Sequence, residues 1–211
     1  VSPGFNPKVV SHCIEKNIPI TPGISSPSDM EQAIEMGLDA VKFFPAVPSG
    51  GLSMIKALAA PYHTMRFMPT GGVTPQNLTE FLDYPKILAC GGTWMVKPEL
   101  LATGNFEEIT RLTRQTVRTM LDLKIDELTL PFPHTGNNLS DALHGLINLS
   151  SGSTKELTIS CRYLKRTIYH LEKNGATFRY DNAKYDSAGN MDAIDFSDAP
   201  EDFSIHLLEK R

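Results

Sequence analysis

A lysine within an apolar run is the residue of this sequence best suited to covalent chemistry. Lys42 lies between Val41 and the pair Phe43-Phe44. Because burying an ammonium group is costly, an apolar wall favours the uncharged amine, which is the nucleophile that forms Schiff bases with ketones and keto acids. The alternative is a lysine at a strand end whose charged group reaches solvent. Glycine-rich loops after the following strands favour the reactive interpretation.

Two glycine pairs predict a phosphate site. Thr70-Gly71-Gly72 and Gly91-Gly92-Thr93 each follow a predicted strand and precede a predicted helix. Glycine lets the backbone approach a ligand closely, and the amides at a helix N-terminus attract anions. A single pair often marks only a turn, but two pairs in successive loops indicate a binding site.

The remaining reactive side chains do not form a recognisable cofactor or metal motif. The six histidines make no HxxH or HExxH pair, and Cys13, Cys90 and Cys161 have no CxxC spacing. The thiols therefore predict a reduced, cytoplasmic protein without metal or cofactor. The net charge of −4 argues against a nucleic-acid partner, and no apolar run approaches the roughly 18 residues of a membrane helix.

Residues 1–121 alternate short apolar runs with helical patterns, which predicts βα units and a parallel sheet. Gly, Pro, Ser or Thr follows nearly every predicted strand, and in a (β/α)8 TIM barrel these strand ends share the catalytic face. A doubly wound sheet remains the alternative, but it would gather its glycines at one switch point. The predicted strands are 18–23, 40–44, 66–69 and 86–90.

Residues 122–211 predict a separate small α+β module. A helix over 162–174 precedes a three-stranded antiparallel meander. We also expect a loop over 131–138 and a short helix over 140–149. The predicted strands are 125–130, 156–161, 176–180, 191–196 and 203–208.

Residues 1–121 resemble the C-terminal part of the 2-keto-3-deoxy-6-phosphogluconate / 4-hydroxy-2-oxoglutarate aldolases. The matching runs, in order, are Val1-Ser2-Pro3-Gly4-Phe5-Asn6, Pro22-Gly23, Val41-Lys42-Phe43-Phe44-Pro45-Ala46, Pro69-Thr70-Gly71-Gly72 and Ala89-Cys90-Gly91-Gly92-Thr93-Trp94. The resemblance implies the C-terminal part of a (β/α)8 barrel, a homotrimer and a metal-free class I lyase. That enzyme would cleave the phosphorylated sugar acid to pyruvate and glyceraldehyde 3-phosphate, or 4-hydroxy-2-oxoglutarate to pyruvate and glyoxylate.

The same resemblance assigns roles to individual residues. Lys42 would form the Schiff base, with Phe44 and Pro3 lining the pyruvate site. Thr93 stands where the family usually has Ser, so a hydroxyl is retained at this position. The residues on substrate- and phosphate-binding positions are Thr70, Gly71, Gly72, Gly92 and Thr93.

The family's acid/base Glu, and the Arg and Thr that hold the substrate carboxylate, would precede Val1. We therefore expect an N-terminally truncated chain that by itself is inactive or nearly so. The alternative is a non-catalytic protein that binds phosphate or keto acids, or that mediates assembly.

The second half resembles the glyoxalase/bleomycin-resistance (vicinal oxygen chelate) modules. The likeness rests on Tyr180-Asp181, Lys184-Tyr185-Asp186 and Gly189-Asn190. Enzymatic members hold a metal with His and Glu side chains, and His206 falls on the last predicted strand without an apparent partner set. The resemblance therefore implies a structural or regulatory module.

Overall fold

The computed structural model describes residues 1–130, 148–151 and 154–210, with the backbone alone for 148–151. The chain divides into two compact units, Val1–Thr116 and Val117–Arg211. The boundary lies inside a long helix, whereas the sequence suggested a boundary after residue 121. Each unit is described below by itself.

The first unit is an α/β structure in which short parallel strands alternate with helices. Its strands are β1 (Gly23–Ile24), β2 (Ala40–Phe43) and β3 (Arg66–Pro69), paired in that order. The helices are α1 (Pro7–Glu15), α2 (Pro27–Glu35), α3 (Gly51–Ala59), α4 (Leu78–Leu82), α5 (Pro98–Ala102) and α6 (Phe106–Leu121).

Two predicted strands differ from the observed ones. The strand expected over 18–23 begins only at Gly23, because Pro19 and Pro22 have no N–H to donate to a ladder. The segment expected as a strand over 86–90 is joined to β3 by one isolated parallel bridge, Phe67 to Ile87, and a second bridge, Thr70 to Gly91, lies just beyond both segments.

Helix starts follow the capping residues in the sequence. The Asn6 side chain accepts hydrogen bonds from the Lys8 and Val9 amides, which caps α1. Ser26 and Asp29 form a reciprocal capping box at the start of α2. The runs Asn6-Pro7 and Ser26-Pro27 predict helix starts here, because Asn and Ser cap helices and proline is tolerated at the first helical position, and both predictions are confirmed.

The burial pattern of β2 shows which side of this sheet is the core. Val41 and Phe43 are fully buried, whereas Lys42 and Phe44 are only half-buried. Because successive strand residues point to opposite faces, Lys42 lies on the face away from this core.

Among its described residues, the second unit contains a six-stranded mixed sheet, the end of α6 and the helix α7. Strand order is β5-β4-β6-β9-β8-β7, and α7 packs on the face that carries Ile159, Leu207 and Ile194. The bounds are β4 (Lys124–Leu130), β5 (Asn148–Ser151), β6 (Lys155–Cys161), α7 (Leu164–Glu172), β7 (Phe178–Tyr185), β8 (Met191–Phe196) and β9 (Phe203–Glu209).

The predicted antiparallel meander is present as β7-β8-β9. The sequence did not predict that β9 would insert beside β6 in parallel, because this pairing joins residues far apart along the chain. The loop expected over 131–138 lies outside the described residues, as does most of the helix expected over 140–149. Residues 148 and 149 of that predicted helix belong to β5.

Within residues 1–130 and 154–210, no helix combines the length and the apolar character needed to cross a membrane.

Candidate active site

Lys42 occupies the middle strand of the first unit's sheet. Its Cα is in register with Gly23 on β1 and with Met68 on β3. Gly23 has no side chain, and the place that its Cβ would take is filled by the Pro3 backbone. Lys42 Nζ lies 4.4 Å from the centroid of the Phe44 ring, so the amine has an aromatic neighbour on its own strand.

Pro3 is packed against β1. A Cβ added to Gly23 would overlap the Pro3 carbonyl oxygen, so these two backbones touch. Because Gly23 is in register with Lys42, this contact brings Pro3 to the Lys42 face of the sheet. The structure thus brings Pro3, Lys42 and Phe44 to one region.

The loop after β2 is tied to the loop after β3. The Ala46 amide donates to the Thr70 carbonyl at 2.7 Å, and the Val47 amide donates to the Gly71 carbonyl at 2.9 Å. The Phe44–Pro45 peptide bond is cis. These bonds hold the Lys42 motif and the first glycine pair together.

Gly71 and Gly72 both have backbone angles that favour glycine, with φ of 94° and 82°. A Cβ at Gly71 would lie 3.3 Å from Phe44 Cε2, and one at Gly72 would lie 2.6 Å from Val47 Cβ. Any side chain at Gly72 would therefore displace Val47.

Thr70 points a buried hydroxyl toward the end of the neighbouring segment. Its Oγ1 has no hydrogen-bond partner among the described residues. A Cβ at Gly91 would lie 2.5 Å from this oxygen, so Gly91 must be glycine for the two loops to meet. A buried hydroxyl without a partner is available to a ligand.

Gly92 and Thr93 follow this contact. A Cβ at Gly92 would overlap the Trp94 ring, and Trp94 Nε1 donates to Thr116 Oγ1 at 3.2 Å. Thr93 is exposed. Trp94 therefore packs beside the second glycine pair and anchors it to α6.

Both glycine pairs precede helices, as predicted, but each is separated from its helix by several residues. After Gly72 the chain makes a turn in which Asn77 donates to the Gly72 carbonyl and accepts from the Thr74 amide. The helix begins only at Leu78, and after Gly92 the next helix begins at Pro98. Any anion at these loops would be bound by loop amides rather than by a helix N-terminus.

Gly23 and Gly91 have no individual role among the sequence-based predictions, in which Gly91 appears only as part of a glycine pair. Both are required by the close backbone contacts described above. The runs Pro22-Gly23 and Gly91-Gly92 are visible in the sequence. The sequence does not show, however, which residue of a neighbouring segment each glycine contacts.

In residues 1–130 and 154–210, histidines, cysteines and carboxylates form no group of three or more that could hold a metal ion. The chemistry that the arrangement can supply is that of an amine beside an aromatic ring, a free hydroxyl and glycine-rich loops.

Comparison with known proteins identifies what this site resembles. Residues 1–112 match the family model described as KDPG and KHG aldolase. The chain is 51% identical over 118 residues to a 2-dehydro-3-deoxy-phosphogluconate aldolase of Treponema pallidum, covering 56% of each chain. It is 38% identical over 117 residues to the KHG/KDPG aldolase of Escherichia coli, covering 56% of this chain and 55% of the relative. The chain thus spans about half the length of the curated relatives it matches.

A solved structure gives the same result. The KDPG aldolase of Legionella pneumophila, with pyruvate captured as a covalent carbinolamine intermediate, superposes with a TM-score of 0.52 and 33% identity. The match covers 54% of this chain and 55% of that one.

Proposed function

Because this chain belongs to the KDPG and KHG aldolase family, we propose that it carries the Schiff-base centre of a class I aldolase, with Lys42 as the nucleophile. The observation that carries the proposal is the position of Lys42: in the middle strand, half-buried, with its Nζ 4.4 Å from the Phe44 ring centroid and with Gly23 beside it.

The amine would attack the C2 carbonyl of the keto acid to give a carbinolamine, which loses water to form the Schiff base. The C3–C4 bond then breaks as the C4 hydroxyl loses its proton, so that the aldehyde leaves and the electron pair moves to the protonated imine to give an enamine. A proton added at C3 converts the enamine into the imine of pyruvate. Hydrolysis of the resulting pyruvate imine releases pyruvate and regenerates the amine. The substrates would be 2-keto-3-deoxy-6-phosphogluconate, 4-hydroxy-2-oxoglutarate or both.

The covalent carbinolamine in the Legionella pneumophila relative supports this chemistry, since it is an adduct of the same kind with pyruvate. The contact of Pro3 with Gly23 supports a role for Pro3 and Phe44 in lining the pyruvate site.

The second part of the substrate would meet the glycine-rich loops. Thr70 offers a hydroxyl without a partner among the described residues, which suits a hydrogen bond to substrate. Backbone amides at Gly71, Gly72 and Gly92, with the Thr93 hydroxyl, would bind a phosphate group.

Several wider features belong to the same proposal. We infer that the parallel strands are part of a (β/α)8 barrel and that the whole protein assembles as a homotrimer. We also propose that the second unit is a glyoxalase-like module with a structural or regulatory role. Its helix packed on a mixed sheet with a β7-β8-β9 meander supports that likeness.

Carbon-13 NMR of pyruvate labelled at its carbonyl carbon tests the proposal against simple keto-acid binding. With the 211-residue chain, the label should move from the ketone region to that of a carbinolamine or imine. Lys42→Ala should leave the label in the ketone region, and Lys56→Ala, an exposed lysine on α3, should behave as wild type. Bound pyruvate whose label remains a ketone in the wild-type chain would contradict the proposal and favour a non-catalytic binding protein.

A further inference from the structure

The second unit contains a polar row that the aldolase chemistry does not use. Thr158 on β6 is in register with His206 on β9, and His206 is in register with Asp195 on β8. Directly opposite residues on neighbouring strands share a face. This face is the reverse of the one that holds Ile159 and Leu207 against α7.

His206 and Asp195 form a direct pair. His206 Nδ1 lies 2.7 Å from Asp195 Oδ1, and the two side chains remain 31% and 29% exposed. His206 and Asp195 are therefore fixed by their mutual contact, and both side chains remain partly open to solvent.

The second oxygen of Asp195 is also fixed. The Asn182 side-chain amide on β7 donates to Asp195 Oδ2 at 3.3 Å. Partial burial raises the pKa of the Asp195 carboxyl, but the hydrogen bonds from His206 and Asn182 outweigh this effect, so its pKa is lowered. Asp195 is thus a carboxylate with both oxygens occupied.

An ionised carboxylate can only accept hydrogen bonds, so Nδ1 of His206 must carry a proton. In the neutral imidazole the lone pair then lies on Nε2. Three charged side chains lie around the pair. Lys184 on β7 places a positive charge near Asp195, and Arg179 on β7 is in register with Asp195. Glu127 on β4 is in register with Thr158.

We propose that Asp195 and His206 form a general-base site on this face of the second unit, which hydrolyses small esters with water as the nucleophile. His206 Nε2 takes a proton from water while the water oxygen bonds to the ester carbonyl carbon. The bond to the alcohol oxygen then breaks, and the imidazolium returns its proton to the departing alkoxide. The products are a carboxylic acid and an alcohol, and Asp195 stabilises the transient imidazolium.

This inference does not depend on the aldolase proposal, since all of its residues lie in Val117–Arg211. It assigns Asp195 as a positioning residue, because Asp195 acts through the tautomer and orientation of His206.

Hydrolysis of para-nitrophenyl acetate by the 211-residue chain tests the inference. General-base catalysis contributes on the order of 10²-fold, so His206→Gln should lower the rate above solvent background by about tenfold or more. Asp195→Asn should have a similar effect, because the amide donates to Nδ1 and moves the proton to Nε2. The matched control is His170→Gln on α7, which should retain the wild-type rate.

Nitrogen-15 NMR of the wild-type imidazole is the second measurement and does not depend on the folding of a variant. The Nδ1–H tautomer of His206 in the wild type, together with the loss of rate in His206→Gln, would support the site. An Nε2–H tautomer, an unchanged rate in a folded His206→Gln variant, or an equal loss in His170→Gln would overturn it.

Discussion

At the scale of single residues, the candidate site depends on its glycines as much as on its reactive side chains. The strand beside Lys42 carries Gly23 at the same level, and the missing side chain lets the Pro3 backbone approach the sheet there. Thr70 can approach the next segment because Gly91 leaves room for its hydroxyl. In both places a glycine allows another segment of the chain to approach closely.

Gly23→Ala should destabilise the first unit and reduce covalent trapping of pyruvate at Lys42. The new methyl group would overlap the Pro3 carbonyl oxygen, so residues 1–4 must move away from β1. Forced overpacking of this kind costs about 1–3 kcal/mol, measurable by urea unfolding. Gly4→Ala is the matched control, because its Cβ would meet nothing within 4 Å. Equal stability of the two variants would contradict the contact.

Cys161 should resist thiol reagents in the folded protein. Burial raises the pKa of its thiol from 9.0 to about 11, so almost no thiolate forms at neutral pH. The half-buried Cys13 and Cys90 should react first, with Cys161 reacting only after unfolding. Because the unfolded thiol ionises at lower pH, this group's contribution to stability is complete below about pH 9 and falls as pH rises toward 11. Native-state labelling followed by peptide mass analysis checks the order, and early modification of Cys161 would be inconsistent with it.

The residue types of the site were readable from the sequence, but their contacts were not. Lys42 stands out because a charged side chain lies within an apolar run, and the glycine pairs stand out because they follow two successive predicted strands. Gly23 and Gly91 acquire their importance only when two distant backbones meet, and no local pattern records that approach.

At the scale of elements, capping residues and prolines decide where helices and strands begin. Asn6 and Ser26 predicted two helix starts correctly because a cap is a local hydrogen bond. The predicted strand before Gly23 was too long because proline has no N–H to donate. Residues 86–90 meet β3 at a single isolated bridge, Phe67 to Ile87. The insertion of β9 beside β6 depends on long-range pairing and could not be predicted locally.

Ser26→Ala should lower the stability of the first unit by about 1 kcal/mol. The change removes the hydroxyl that accepts from the Asp29 amide and donates to the Asp29 carboxylate. Ser28→Ala is a control in the same helix turn, since the Ser28 hydroxyl makes no hydrogen bond to any described residue and its carbonyl accepts from the Gln32 side chain. Thermal unfolding followed by circular dichroism should separate the two variants, and equal midpoints would argue against the capping box.

At the scale of the whole molecule, the chain combines a family unit with a second unit of different architecture. The family match ends at residue 112, close to the division after Thr116. The parallel sheet of the first unit positions Lys42 and the glycine loops, whereas the mixed sheet of the second unit positions the His206 and Asp195 pair. The two proposed chemistries can therefore be tested by separate substitutions in the same chain.

Borohydride reduction in the presence of pyruvate tests the role of Lys42 most directly. The 211-residue chain is incubated with pyruvate, reduced, digested and examined by mass spectrometry. The account predicts a reduced pyruvate adduct on the peptide that contains Lys42, and no adduct after Lys42→Ala. An adduct on other lysines with Lys42 unmodified, or no adduct at saturating pyruvate, would contradict it.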